Sequence, residues 1–137
     1  SGNIHALFLK LLKNCPACKP YLPIDWKINE NTVVQPDNLI VCNDQDNDLP
    51  YLLKTPALVV EILSPSTQMK DMNIKKLLYE NAGVKYYITI HVDSQKITIF
   101  ELIDLNYKKV FEEKQGPFDF DLDGGCMILC DFSLIWD

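Results

Sequence analysis

Residues 58–75 read LVVEILSPSTQMKDMNIK, and the first part of this stretch decides the fold. Residues 57–63 form a near-continuous apolar run, which is typical of a strand buried on both faces of a sheet. The run contains a single carboxylate, Glu61, and breaks at Ser64-Pro65. A buried carboxylate is costly unless it is paired, hydrogen-bonded or bound to a metal. We therefore predict a central strand in which Glu61 has a partner.

The segments before this strand read as a helix followed by strands. Residues 3–13 place apolar side chains at a helical spacing along one wide stripe, which predicts a helix that packs on the sheet. Residues 21–28 and 32–42 are rich in β-branched and aromatic side chains and are predicted as strands, the second with a proline that suits a bulge or an edge. The polar run 43–50 is predicted as a loop.

The segments after the strand complete a mixed architecture. Ser66-Thr67 can cap a helix over residues 68–81 that ends at Ala82-Gly83. Residues 85–92 and 96–103 read as strands, residues 107–113 as a further hairpin partner and residues 126–134 as a small closing element. The order of helix, strands, helix and strands predicts a mixed β-sheet flanked by helices, in the α/β or α+β class.

Length and composition bound the class of protein. The 137 residues, 47% of them apolar, suit one domain over residues 1–137 with a single packed core. The apolar runs are short and interrupted by charges, and no signal peptide opens the chain, so we expect no membrane span and a cytoplasmic protein. The chain begins Ser-Gly without a methionine, which suggests truncation at the N-terminus.

Charge and cysteine content add two further expectations. The chain carries 13 basic and 19 acidic residues, and its net charge of −6 argues against a strong electrostatic grip on nucleic acid. This balance does not exclude a nuclease, because bound divalent metal offsets acidic site residues locally. The 5 cysteines, an odd number in a chain without an export signal, favour reduced thiols over a disulfide framework.

Three features align as a candidate site: Asp37 after Pro36, Glu61 near the end of the central strand, and Lys75 in the helix that follows. The carboxylates are 61 − 37 = 24 residues apart, enough for a strand, a loop and a return to an adjacent strand. Two such carboxylates repel each other and are best stabilised by a hard cation, Mg²⁺ or Mn²⁺. A nearby lysine would position water for attack on a phosphodiester.

The chain resembles the PD-(D/E)xK nuclease superfamily and, within it, the restriction-endonuclease-like family of Uma-type endonucleases. The resemblance rests on four stretches in order, and it extends over nearly the whole chain apart from an N-terminal portion. These stretches are QPDNLIVC, PALVVEILSPST, the row Asp71, Lys75 and Tyr79 in DMNIKKLLY, and ENAGVKYYITI.

The resemblance implies a role for each site residue. Asp37 and Glu61 would be metal ligands, the backbone carbonyl of Ile62 would complete the shell, and Lys75 would be the catalytic lysine. The superfamily places a lysine two residues after the glutamate, where this chain has Leu63. In the family that it resembles, this lysine has moved into the following helix, at the position of Lys75.

The helix spacing supports Lys75 over its neighbours. Asp71, Lys75 and Tyr79 stand at i, i+4 and i+8 and share one helix face, so Asp71 and Tyr79 are supporting candidates. Lys76 points about 100° away around the helix, and Lys70 lies a turn earlier.

The resemblance also implies a partner and exposes one departure. DNA is the expected substrate, and since dimerisation is common in nucleases of this fold, a homodimer remains open. Members of the superfamily often use a further acidic residue from an N-terminal element, but no acidic residue precedes Asp25 in this chain. His5 on the first helix could line the site instead, although a lone histidine is more often structural or exposed.

Simpler interpretations stay open beside the nuclease. Asp37 after a proline could be a turn residue, and a structural ion pair could explain both Glu61 and Lys75. A catalytically inactive nuclease-fold module that binds a protein or dimerises is the alternative function, and the acidic net charge favours it. Ser64, Ser66 and Thr67 have no histidine and acid at nucleophile spacing, so they read as strand-end and capping residues.

Cys15-Pro-Ala-Cys18 has the spacing of a thioredoxin-like motif or of half a zinc site. The redox motif belongs at the start of a helix, whereas this one follows a helix. A zinc site needs two more ligands, and Cys42, Cys126 and Cys130 do not form a second C-x-x-C pair. Neither interpretation is favoured by the sequence.

Overall fold

The computed structural model describes residues 2–45, 48–65 and 69–136, with residues 69 and 70 described by their backbone. The elements in chain order are α1 (Gly2–Leu11), β1 (Cys18–Tyr21), β2 (Trp26–Asn29), β3 (Thr32–Val34), β4 (Asn38–Cys42), β5 (Leu58–Leu63), α2 (Met69–Ala82), β6 (Tyr86–His91), β7 (Lys96–Ile103), β8 (Asn106–Glu113), β9 (Pro117–Leu122) and β10 (Cys126–Asp131). Short 3₁₀ turns at Asp123–Gly125 and Phe132–Ile135 flank β10.

The main sheet has six strands in the order β1-β4-β5-β6-β7-β8. β5 and β6 are parallel and joined through α2, whereas the other neighbours in this sheet are antiparallel. Parallel neighbours need a crossover connection, and α2 supplies it. β2–β3 and β9–β10 form two separate antiparallel pairs. The predicted mixed sheet with flanking helices is confirmed.

The sheet is covered on both faces, which explains the apolar run of β5. Val60 lies in a core with Ile4 and Phe8 of α1. Its neighbour Val59 lies in a second core with Tyr79 of α2. Because successive side chains of a strand point to opposite faces, α1 and α2 pack on opposite sides of the sheet.

Two predicted strands are each divided in the structure. Residues 21–28 contribute the end of β1 and the start of β2, and residues 32–42 contribute β3 and β4. Pro23 and Pro36 lie in the two interruptions and have no N–H to donate to a ladder. We had expected Asp37 to lie within a strand. It lies instead immediately before β4. β9 was not predicted at all.

The end of α2 agrees with the predicted glycine stop. Gly83 has a φ of 90°, and the N–H groups of Gly83 and Val84 both donate to the Tyr79 carbonyl. A residue without a Cβ adopts this left-handed conformation at no steric cost, so the helix can end tightly and lead directly into β6. The predicted capping residues Ser66 and Thr67 lie outside the described residues.

The prediction of reduced thiols is wrong for four of the cysteines. Disulfides join Cys15 to Cys126 and Cys18 to Cys42. The remaining Cys130 is a free, buried thiol, and burial raises its pKa to about 12. The prediction rested on the expected compartment and on the odd number of cysteines. Neither of these shows which cysteines the fold brings close together in space.

Candidate carboxylate site

The edge where β4 begins and β5 ends brings Asp37 and Glu61 together. β4 and β5 run antiparallel with Asn38 opposite Val60, so the same register sets Asp37 opposite Glu61. The Asp37 N–H donates to the Val60 carbonyl at 3.1 Å, and Asp37 Oδ2 accepts from the Ile62 N–H at 2.7 Å. Asp37 is thus hydrogen-bonded to the residues on either side of Glu61.

Glu61 is the more deeply enclosed carboxylate, with 4% of its surface exposed. Burial raises the pKa of Glu61, and the negative charge of Asp37 acts in the same direction. The Tyr79 hydroxyl and the Lys75 ammonium oppose that rise, since both stabilise the ionised form. Burial is the largest of these influences, so the site holds a carboxylate whose charge is incompletely compensated by its protein neighbours.

Lys75 supplies the positive charge nearest to Glu61. Its Nζ lies 3.3 Å from Glu61 Oε2, while 47% of its side chain is exposed to solvent. The ammonium can therefore contact both the buried carboxylate and a molecule outside the protein. Lys76 points elsewhere, with its Nζ 4.2 Å from the centre of the Phe100 ring.

Tyr79 fixes the orientation of the Glu61 carboxylate. Its hydroxyl donates to Glu61 Oε2 at 2.6 Å, and its ring is fully buried between the rings of Trp26, at 6.1 Å, and Tyr87, at 5.3 Å. Burial, followed by the Glu61 charge, raises the pKa of Tyr79, so the hydroxyl stays protonated and remains a donor. Both Tyr79 and Lys75 contact the same oxygen, which leaves Glu61 Oε1 outside these two contacts.

The structure does not bring every predicted residue to this place. Asp71 lies exposed in the first turn of α2. The hydrogen bonds and the ion pair that hold the two carboxylates come from other residues. His5 belongs to α1, which packs on the sheet face opposite to Glu61, so a place for it in the site stays a prediction. A histidine within a helical pattern carries no information about which face of a sheet that helix covers.

Sequence reasoning missed two neighbours of the site. Trp26, in β2, packs its ring on Tyr79 and supports the tyrosine from behind. Thr89, in β6, is paired in register with Glu61 and is buried beside it. The only signal for Trp26 was its place among other large apolar residues, which predicts burial but no particular neighbour.

The donor set suits a hard divalent cation. Among residues 2–45, 48–65 and 69–136, with the disulfides formed, no three or more His, Cys, Asp or Glu side chains are grouped so that they could hold a metal. Mg²⁺ does not require such a group, because it is usually bound by one or two carboxylates together with water and substrate phosphates. Asp37 and Glu61 meet that requirement, and a cation would stabilise the ionised form of Glu61.

The mixed sheet and the paired carboxylates define a protein with a nuclease-like α+β fold. The chain belongs to the Uma2 family, described as "Putative restriction endonuclease", which matches residues 1–118.

One curated relative and one solved structure are similar to this chain. The Synechocystis protein slr1290, described as uncharacterized, is 31% identical over 88 residues, covering 59% of this chain and 46% of its own length. The chain thus spans about half the length of that relative. A crystal structure from Anabaena variabilis, of a protein described as a putative nuclease belonging to DUF820, has a TM-score of 0.74 at 13% identity and covers 98% of this chain and 79% of its own. At this identity the likeness shows the fold.

In the part of the chain that the structure describes, no helix is long and apolar enough to cross a membrane.

Proposed function

We propose that this protein is a cytoplasmic, metal-dependent endonuclease that hydrolyses phosphodiester bonds, with DNA as its substrate. Asp37, Glu61 and the backbone carbonyl of Ile62 would hold Mg²⁺ or Mn²⁺. The supporting observation is that a carboxylate immediately before β4, a carboxylate of the neighbouring β5 and a lysine from the following helix meet at one edge of the sheet. When bound, the cation would polarise the phosphate and make its bound water more acidic.

The chain's own residues would divide the remaining work. Asp37 is held by the Ile62 N–H and Glu61 by the Tyr79 hydroxyl, so both carboxylates are oriented before any ligand arrives. Lys75 would orient the attacking water and balance the charge that develops on the phosphate. Its exposed ammonium suits this role because the reaction must take place where substrate has access.

A cavity beside the site suits part of a nucleic-acid strand. It measures about 190 Å³, lies on the α2 face of the sheet, and includes Thr89 in its wall, the residue paired with Glu61. Two lysines, Lys76 and Lys109, line it together with Glu112. Because Lys109 Nζ lies 3.0 Å from Glu112, the local positive charge is small, and we expect weak substrate binding that depends only shallowly on salt.

Cleavage of supercoiled plasmid and of single-stranded DNA with Mg²⁺ or Mn²⁺ tests the proposal. The wild type is compared with Asp37→Asn, Glu61→Gln and Lys75→Ala. We expect metal-dependent nicking that each substitution abolishes, with no nicking when EDTA replaces the metal.

Lys10→Ala is the matched control, because Lys10 is an exposed lysine on α1, across the sheet from Glu61. It should cleave like the wild type. Activity that survives in all three site variants would identify a contaminating nuclease and overturn the assignment. A folded wild type that cleaves neither substrate with either metal would favour the inactive module that binds a protein or dimerises.

A further inference from the structure

Four of the cysteines converge at one corner of the molecule, far from the carboxylate site. Cys15 and Cys18 frame the turn after α1, Cys42 ends β4, and Cys126 begins β10. Their Cα atoms are 5.8 Å apart for Cys15 and Cys126 and 4.0 Å apart for Cys18 and Cys42. We call these four residues the cysteine cluster. The C-x-x-C pair thus has two further cysteines beside it, which the sequence did not show.

Backbone contacts hold the three segments of the cluster against one another. The Cys18 N–H donates to the Cys15 carbonyl at 3.1 Å, which closes the C-x-x-C segment into a turn. The Asn43 N–H donates to the Ala17 carbonyl at 2.7 Å, which joins the end of β4 to that turn. Cys18 Sγ lies 3.5 Å from the carbonyl oxygen of Asp123, three residues before Cys126. The two sulfur pairs therefore belong to one corner.

A glycine permits this close approach. A Cβ built on Gly124 would lie 3.2 Å from the Ala17 Cβ and 3.3 Å from the Asn43 side chain, and Gly124 has a φ of 76°. A larger residue would be strained here and would push the turn that carries Cys126 away from the other two segments. The corner is thus packed tightly by backbone contacts that do not themselves require sulfur–sulfur bonds.

We propose that, in the reduced protein, the cysteine cluster is a tetrathiolate site for Zn²⁺. Four cysteines with a C-x-x-C pair among them are a standard donor set for structural zinc. In the disulfide form the same sulfurs are bonded to each other and are not ligands. The proposal is independent of the carboxylate site, because thiolates select zinc whereas carboxylate oxygens select Mg²⁺ or Mn²⁺.

The conversion balances in electrons and protons. A dithiol reductant gives four electrons and four protons to the two disulfides, yielding four thiols while two reductant molecules become disulfides. Zn²⁺ then displaces the four thiol protons and binds four thiolates. Tetrahedral Zn–S bonds of about 2.3 Å place the sulfurs about 3.8 Å apart, so the two sulfurs of each present disulfide would move apart when the metal binds.

Zinc stoichiometry in the full chain tests the proposal. The protein is reduced with a dithiol, freed of reductant anaerobically and titrated with Zn²⁺ against a chromophoric chelator. A parallel titration uses Co²⁺, whose absorption reports tetrahedral sulfur coordination. We expect one metal per chain with the spectrum of a tetrathiolate. The serine variants of Cys15, Cys18, Cys42 and Cys126 should each lose stoichiometric binding.

Cys130→Ser provides the matched control, since Cys130 is a buried cysteine outside both disulfides. It should keep the metal and its spectrum. Because a serine variant could fail to fold, thiol alkylation followed by peptide mapping is also done on the wild type, where Zn²⁺ should protect the four cluster cysteines. A folded, reduced wild type that binds no stoichiometric metal would overturn the proposal, as would binding that persists in Cys42→Ser or Cys126→Ser.

Discussion

The two ends of β4 differ in how their reactive side chains are paired. Asp37, immediately before the strand, faces a second carboxylate, whereas Cys42, its last residue, is covalently bonded to Cys18. The five steps between them span about 17 Å. At the cysteine end, the sulfurs of the disulfide form are bonded to each other, so that corner needs no ligand in this form. At the carboxylate end, the two negative charges repel, and the positive charge of Lys75 compensates them only in part.

This difference indicates that one end of β4 serves stability and the other end serves chemistry. The cysteine cluster joins segments that are distant along the chain, so its effect should fall on the free energy of unfolding. The carboxylate site keeps a buried charge and a half-exposed ammonium, an arrangement that contributes little stability and suits chemistry. If the comparison holds, substitutions at the two ends of β4 should give opposite profiles in stability and cleavage.

The largest expected effect is on stability at the cysteine end. The Cys15–Cys126 bond spans 111 residues and the Cys18–Cys42 bond spans 24. In the chain-entropy account, removing the first should cost about 5 kcal/mol and the second about 3 kcal/mol. Urea unfolding of the oxidised Cys15→Ala/Cys126→Ala and Cys18→Ala/Cys42→Ala proteins, in chelator, measures the difference.

Cys130→Ala serves as the reference for lost sulfur packing alone. Equal stabilities for the oxidised wild type and the Cys15→Ala/Cys126→Ala protein would show that the longer bond does not hold the fold together.

The next effect is on the cleavage rate at the carboxylate end. Lys75→Met keeps the unbranched shape of the side chain as far as its fourth atom and removes the ammonium. We expect a loss of about 10²–10³-fold in rate at saturating metal, comparable to losing one preorganised donor in an active site. Single-turnover cleavage measures it, and the unfolding free energy should change little. A large loss of stability with unchanged cleavage would reduce Lys75 to a structural ion-pair partner.

A smaller loss of activity is expected from Tyr79→Phe, which keeps the packed ring and removes the hydroxyl that donates to Glu61. Outer partners of metal ligands typically contribute about 10–100-fold in metal affinity or activity. The apparent metal concentration for half-maximal cleavage should therefore rise. Tyr86→Phe is the control, since Tyr86 lies in the core on the other face of the sheet. An unchanged metal requirement in Tyr79→Phe would show that the Tyr79 hydroxyl does not contribute to metal binding.

The smallest effect is a pH dependence of stability. Burial raises the pKa of Glu61 above its ordinary value of 4.5, so its ionised form is less favourable in the folded than in the unfolded protein. Stability is therefore retained below that ordinary pKa and lost as the pH rises through the folded pKa. In metal-free buffer, Glu61→Gln should match the wild type at low pH and exceed it at neutral pH.

Addition of Mg²⁺ should reduce the difference in unfolding free energy between Glu61→Gln and the wild type at neutral pH, because Mg²⁺ should stabilise the wild type alone. Unfolding curves from acid to neutral pH, with and without Mg²⁺, test both statements. A gap that is independent of pH would mean that the charge of Glu61 is already compensated within the protein.

The amino-acid sequence by itself determined the central strand β5, the helix α2 with its glycine end, and the candidates Asp37, Glu61 and Lys75. These features rest on local causes: apolar periodicity, a residue that tolerates a positive φ, and motifs of fixed spacing. A strand and the helix that follows it are neighbours in sequence and in space, so the relation of Glu61 to Lys75 was accessible to sequence reasoning.

Contacts between segments that are distant in the sequence became known only from the tertiary structure. It placed α1 on the sheet face opposite to Glu61, and it brought Trp26 behind Tyr79. It also gathered the cysteine cluster, because β9 and β10 pair and place Cys126 beside the turn of Cys15. The physical reason is that contacts between distant segments depend on how all the layers pack together, and no local pattern in this sequence specified that packing.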